Sequence, residues 1–138
     1  MMLKSPETVL WNAIASDASV TLHVGSRIYP QLAPSVDAMP FIIWRRTAIS
    51  RESTLTVPMG LPRVSIDFMF FAETYLTVRK IADAVRQVLD GFGGSFENTT
   101  VRHCSLESES DDIVALDGSE VPNAYSVTQT YDVLWQES

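Results

Sequence analysis

The sequence predicts an α+β fold: a mixed, mainly antiparallel sheet of four to five strands with two helices packed on one face. Three stretches carry that prediction. Over Pro62–Phe71, Val64, Ile66, Phe68 and Phe70 alternate with Arg63, Ser65, Asp67 and Met69, the period of a half-buried strand. Over Thr74–Asp90, Val78, Ile81, Ala82, Val85, Val88 and Leu89 recur at the steps of one helical face, and Phe92 continues it. Over Ala124–Trp135, Tyr125, Val127, Tyr131, Val133 and Trp135 share one face with Gln129, while Ser126, Thr128, Thr130 and Asp132 make the other polar. That alternation suits an antiparallel sheet covered on one side.

In chain order, Ser5 is placed to cap a first helix, with Pro6 at its first position and Glu7 near its positive end. Val9, Leu10, Ala13 and Ile14 give it an apolar stripe running to about Ser16. Residues 17–40 read as mostly irregular, with Val20-Thr21-Leu22 a short strand or turn. Phe41–Thr47 reads as the first long strand, apolar on both faces at its start. Residues 48–61 read as a protruding arm or long loop, with Leu55 and Val57 at strand spacing before the turn signal Pro58-Met59-Gly60. Thr74 and Gly91 bound the long helix. Ser95–Leu106 reads as a third strand, Glu107–Asp112 as an acidic turn or loop, and Ile113–Leu116 as a short strand.

The length fits one domain over residues 1–138 with a single core. No apolar run reaches the ~20 residues of a membrane helix, and the start MMLKSPE has no apolar leader segment. The single cysteine, Cys104, excludes an intramolecular disulfide and suits a reducing compartment. A net charge of −7 argues against a protein held to nucleic acid by phosphate contacts. The charge is split, however. Residues 45–63 carry Arg45, Arg46, Arg51 and Arg63 against Glu52, whereas residues 97–120 carry seven acids against Arg102. Two solvated faces, or complementary patches between copies, both fit this split.

No constellation supports catalysis, a cofactor or a metal. His103 and Cys104 are neighbours on a strand, so their side chains point to opposite faces and cannot act as a nucleophile–base pair. His23 has no Cys or His near it. The cluster Glu107, Glu109, Asp111 and Asp112 lacks the central glycine and terminal glutamate of a calcium loop. Gly91-Phe92-Gly93-Gly94 follows a helix rather than preceding one, so it ends that helix and cradles no phosphate. Trp44, Phe70, Phe71, Tyr125, Tyr131 and Trp135 sit at strand spacing, which favours core and interface roles over base stacking.

Several segments do form one pattern: Arg27-Ile28-Tyr29-Pro30, Ala33-Pro34, Met39-Pro40-Phe41-Ile42-Ile43-Trp44, then the strand–helix unit, then Tyr131-Asp132 and Trp135. In order and spacing this resembles the tail completion (tail terminator, tail-to-head joining) family of phages with long non-contractile tails, found also in prophages and gene-transfer agents. The resemblance implies a structural virion protein, not an enzyme, without cofactor or membrane contact. It implies a ring, typically a hexamer, that caps the tail tube and joins it to the head-neck connector. Its partners would be copies of itself, the tail tube protein and a neck or head-completion protein, with DNA passing through the lumen without specific binding. The protein would reside at the tail–neck junction of the virion, and in the host cytoplasm during assembly.

On that reading Arg45, Arg46, Arg51 and Arg63 are candidates to meet Glu107, Glu109, Asp111 and Asp112 of a neighbouring copy. Alternatively, the acidic segment lines the lumen and repels DNA. A small cytosolic α+β binding module or enzyme subunit is the alternative function, since fold does not fix function.

Overall fold

The computed structural model describes residues 6–25, 27–30, 39–53, 58–96, 99–114 and 124–137. The elements are α1 (Pro6–Ala15), α2 (Ala18–Val24), β1 (Ile28–Pro30), β2 (Phe41–Ser53), β3 (Pro58–Ala72), α3 (Tyr75–Leu89), β4 (Gly94–Phe96), β5 (Thr99–Val114) and β6 (Ala124–Glu137). The strands form one six-stranded sheet in the order β1-β2-β3-β6-β5-β4. Among the described residues only β1 pairs in parallel, with β2, so the sheet is mixed and mainly antiparallel as predicted. It holds six strands where the sequence suggested four to five, and the described residues include three helices where it suggested two.

The core lies between the sheet and the helices. Val64, Ile66, Phe68 and Phe70 of β3 and Val127, Tyr131 and Val133 of β6 present one continuous buried face. Val78, Ile81, Ala82, Val85 and Leu89 of α3 pack against it, each without exposed surface. Burying an aliphatic side chain of this size contributes about 1.5–3 kcal/mol, so α3 is held mainly by this stripe. The Thr74 side chain caps α3 by accepting from the Thr77 N–H at 3.2 Å, and Gly91 follows the helix with φ +84°. Both ends therefore lie where capping chemistry places them.

Four local readings need correction. Residues 18–24 are helix, not strand or turn. The Asp17 carboxylate accepts from the Ser19 and Val20 N–H groups at 2.9 and 3.2 Å, which caps the helix. Burial of Val20 and Val24, one turn apart, then overrides their β propensity. Ile28–Pro30 is a strand, with Ile28 opposite Ile42 and Pro30 opposite Trp44. The stretch 95–106 is a hairpin rather than one strand: β4 pairs with the start of β5, Phe96 opposite Thr99. Lastly, the acidic stretch 107–112 is not a loop but the continuation of β5, which pairs with β6 as far as Val114 opposite Ala124. The proposed Ser5 cap, residues 115 and 116 of the short strand, and the Asp117-Gly118 turn lie outside the described residues.

β2 and β3 pair out to Ser53 opposite Pro58, whereas β6 joins β3 only from Arg63 opposite Leu134. Residues 58–62 thus pair with β2 alone among the described residues, so the end of the β2–β3 hairpin extends past the body of the sheet.

Candidate functional site

The sequence motifs first find a local physical explanation. Arg27 sits between α2 and β1, and its guanidinium donates to the carbonyls of Pro40 (2.8 Å) and His23 (3.4 Å). Its own carbonyl accepts from the Ile42 N–H at 2.9 Å. The Arg27–Pro30 and Pro40–Trp44 motifs are therefore the two halves of one parallel pairing, fastened by Arg27.

The arginine candidates divide between the two faces of the sheet. Arg45, on the face away from the helices, lies 3.7 Å from the Asp67 carboxylate opposite it on β3. Asp67 also accepts from the Thr130 hydroxyl at 2.7 Å. On the same face Arg63 pairs with Asp132 at 2.5 Å. Arg46 faces the helices, where its Nε donates to the buried Glu7 carboxylate of α1. Glu7 is therefore more than a favourable charge at a helix start: it locks α1 to β2. The backbone of Arg51 lies in β2, opposite Pro62.

The acidic candidates are sorted by two bulges in β5. Register shifts fall between Val101 and His103 and between Leu106 and Ser108. Each extra residue resets the alternation of faces. Val101 and Cys104 thereby come to the same buried face, although simple alternation separates them. Beyond the second bulge Glu109, Asp111 and Ile113 face the helices, opposite Gln129, Val127 and Tyr125.

There Arg79 of α3 gathers three carboxylates: Glu109 at 3.0 Å, Asp83 at 3.2 Å and Asp111 at 3.4 Å. Burial alone lowers the guanidinium's pKa, but the hydrogen bond it donates to Glu109 and the surrounding carboxylates outweigh it and hold it above its ordinary value. The other Glu109 oxygen accepts from Gln129 Nε2 at 2.7 Å. Gln129 is fully buried and also donates to the Ala82 carbonyl (3.0 Å), while its Oε1 accepts from the Tyr131 hydroxyl (2.7 Å). Every polar atom of this buried amide has a partner, which makes it a specific bolt between α3 and the sheet.

Thus Glu109 and Asp111 serve the subunit's own fold, whereas Glu107, on the bulge, and Asp112 are exposed. Sequence reasoning missed Arg79, Glu7, Asp67, Asp132 and Gln129 as their partners. The one local signal was the four-residue spacing of Arg79 and Asp83.

Near the acidic end, Tyr75, Asp111, Asp112, Ile113 and Tyr125 line a cleft of about 330 Å³. The Tyr75 and Tyr125 rings meet edge to face at 6.0 Å. The Tyr75 hydroxyl donates to Asp111 at 3.2 Å, and that hydrogen bond raises its pKa. The cleft lining includes no His, Cys, Ser or Lys to serve as a nucleophile or a base near neutral pH. Cys104 is buried, and burial, with Asp90 and Asp132 nearby, pushes its thiol up to about 12. His103, its neighbour, is exposed on the opposite face. Among the described residues no group of three or more His, Cys, Asp or Glu is arranged to hold a metal, and no helix is long and apolar enough to cross a membrane.

Comparison with known proteins points in one direction. In overall fold the chain is similar to a solved chain titled "Virion of native gene transfer agent (GTA) particle", with a TM-score of 0.76, 14% identity, and coverage of 94% of this chain and 92% of that one. No curated protein matches the sequence significantly. The family model for tail completion protein gp17 matches residues 8–134. That match runs from within α1 into the last part of β6 and takes in the Arg27 clasp, the strand–helix unit and the Arg79–Gln129 network; the chain belongs to the tail completion protein gp17 family, structural proteins of phage tails.

Proposed function

We propose that this protein is a non-enzymatic virion component that forms a ring, hexameric as the family resemblance implies, at the end of the tail tube. The ring closes the tube and joins it to the neck or head-completion protein, and DNA passes through its lumen without specific binding. Subunits gather in the host cytoplasm and reside afterwards at the tail–neck junction. The observation that carries this reading is the family match over residues 8–134. Two physical features support it. The polar networks fasten elements of the fold to one another. The charge split also supplies two unlike patches on one chain, the requirement for a head-to-tail contact that closes into a ring.

The candidate contacts are narrowed by the geometry. Arg45 and Arg63 on the outer sheet face, with Arg51 beyond them in β2, would meet Glu107 and Asp112. Arg46, Glu109 and Asp111 act through their internal partners. Immunogold electron microscopy of particles, with antibody to this chain, tests the placement. Label confined to the tail–head junction is expected; label along the whole tail, or none on intact particles, overturns it. Light scattering of the purified chain over a range of concentration and salt, alone and with isolated tail tubes, tests the ring. A strict monomer in both settings refutes it.

A further inference from the structure

The two long unlike-charged segments are the two open edges of a single sheet. The flanking strands β1 and β4 have three residues each. β1 covers β2 only at Ile42–Trp44, and β4 covers β5 only at Thr99–Val101. The end of α3 covers the next part of β5: the Gly91 N–H donates to the Cys104 carbonyl at 2.6 Å, and Asp90 accepts from the Leu106 N–H at 3.1 Å. Among the described residues, no strand pairs with the outer edge of β2 from Arg45 onward, or of β5 from Glu107 to Val114. Each open stretch is about eight residues, longer than a typical whole strand of about five to six.

The direction of the β5 amides follows from the same contacts. The Leu106 N–H points away from β6, since it meets Asp90. The bulge then resets the ladder, and strand alternation turns the N–H groups of Glu109, Asp111 and Ile113 outward. In keeping with this, the Ile113 N–H is taken up by its own neighbour, the Asp112 carboxylate, at 2.8 Å. An exposed edge of this kind is a template for another strand unless something blunts it. Here charge blunts it selectively. The β5 edge carries exposed Glu107 and Asp112, with Glu109 and Asp111 tied to Arg79, and the β2 edge carries exposed Arg45, with Arg46 tied to Glu7 and Arg51 followed by Glu52 further along β2. Acidic edge against acidic edge repels, as does basic against basic; only unlike edges attract.

We infer that the β2 edge of a second copy adds to the open β5 edge, so that the sheet runs on from one copy to the next. β2 and β5 run in opposite directions within the sheet, because three antiparallel pairings separate them. Copies arranged head to tail therefore pair these edges antiparallel. The charge rule excludes the twofold dimer that like edges would form, and selects the heterologous contact from which rings close. This inference rests on the ring reading and names the bonds that build it.

Residue-resolved hydrogen exchange on the full chain, free and assembled, tests it. The Glu109, Asp111 and Ile113 amides should exchange at least tenfold more slowly in the assembly, with no comparable change inside α3. Ile113→Pro removes an outward N–H without touching the β6 ladder; it should keep the native circular dichroism and weaken assembly at least tenfold. Asp112→Arg should weaken assembly likewise, while Glu73→Arg, an equal charge change on an exposed residue off the edge, should not. Assembly with those amides still fast, or unaffected by Ile113→Pro, overturns edge pairing and leaves the ring standing. Absence of any assembly, alone or on tail tubes, overturns the ring reading and this inference with it.

Discussion

Replacing Glu109 by lysine should destabilise the subunit by about 3 kcal/mol, although Glu109 belongs to an acidic surface strand. Its carboxylate accepts from Arg79 at 3.0 Å and from Gln129 at 2.7 Å. Hydrogen bonds involving a charged group are worth roughly 1.5–3 kcal/mol each. The Arg79 and Glu109 side chains both keep 25% of their surface exposed, so the lower end applies. Lysine also sets a cation beside Arg79; two like charges about 4 Å apart repel by about 4 kcal/mol at an effective dielectric of about 20. Much of that is relieved because a lysine chain can swing its ammonium into water. Urea unfolding followed by circular dichroism should show a midpoint lower by about 1.5 M, for a slope of about 2 kcal/mol per molar. Glu107→Lys, the same change at an exposed position, should stay within about 0.5 kcal/mol of the parent. Glu109→Gln should fall between the two. Equal stability of the Glu109→Lys and Glu107→Lys variants would refute the structural role given to the Arg79 network.

Other outcomes follow from the same geometry. Val85→Asp puts a carboxylate in the fully buried centre of α3 and should abolish the native fold, checked by loss of helical circular dichroism at 25 °C. Thr74→Ala removes the cap of α3 and should cost about 1 kcal/mol in urea unfolding. The Cys104 thiol should resist iodoacetamide in the native state at pH 8 and react once the chain is unfolded. Its native pKa is raised from 9.0 to about 12, so above pH 9 the unfolded chain loses the proton that the native chain keeps. Stability should then fall with rising pH between 9 and 12, by roughly 1.4 kcal/mol per unit; below pH 9 this group contributes no slope. Comparison with Cys104→Ala, which lacks the titration, isolates the effect.

What the sequence determined by itself was everything governed by short-range periodicity. The strand at Val64–Phe70, the helix capped by Thr74 and stopped before Gly91, and the one-sided strand at Tyr125–Trp135 all stand as read, because each buries one face and its period names the element. The order of the Arg27–Pro30 and Pro40–Trp44 motifs also pointed to the right family, since they are two halves of one pairing.

Tertiary structure decided what those elements do to one another. Helix α2 escaped notice because the β-branched Val20 and Thr21 favour strands in isolation, and only the burial of Val20 and Val24 settles the matter. β5 was hidden because its bulges break the two-residue period and its far half is acidic, which locally resembles a solvated loop. Most consequential was the sorting of charge. Arginines and acids form two clusters in the sequence, but Arg46, Glu109 and Asp111 are bound to partners 30 to 39 residues away, and Glu109 also to Gln129, 20 residues away. Long-range pairing of this kind leaves no periodic trace, because it depends on which strands lie side by side rather than on spacing along one of them.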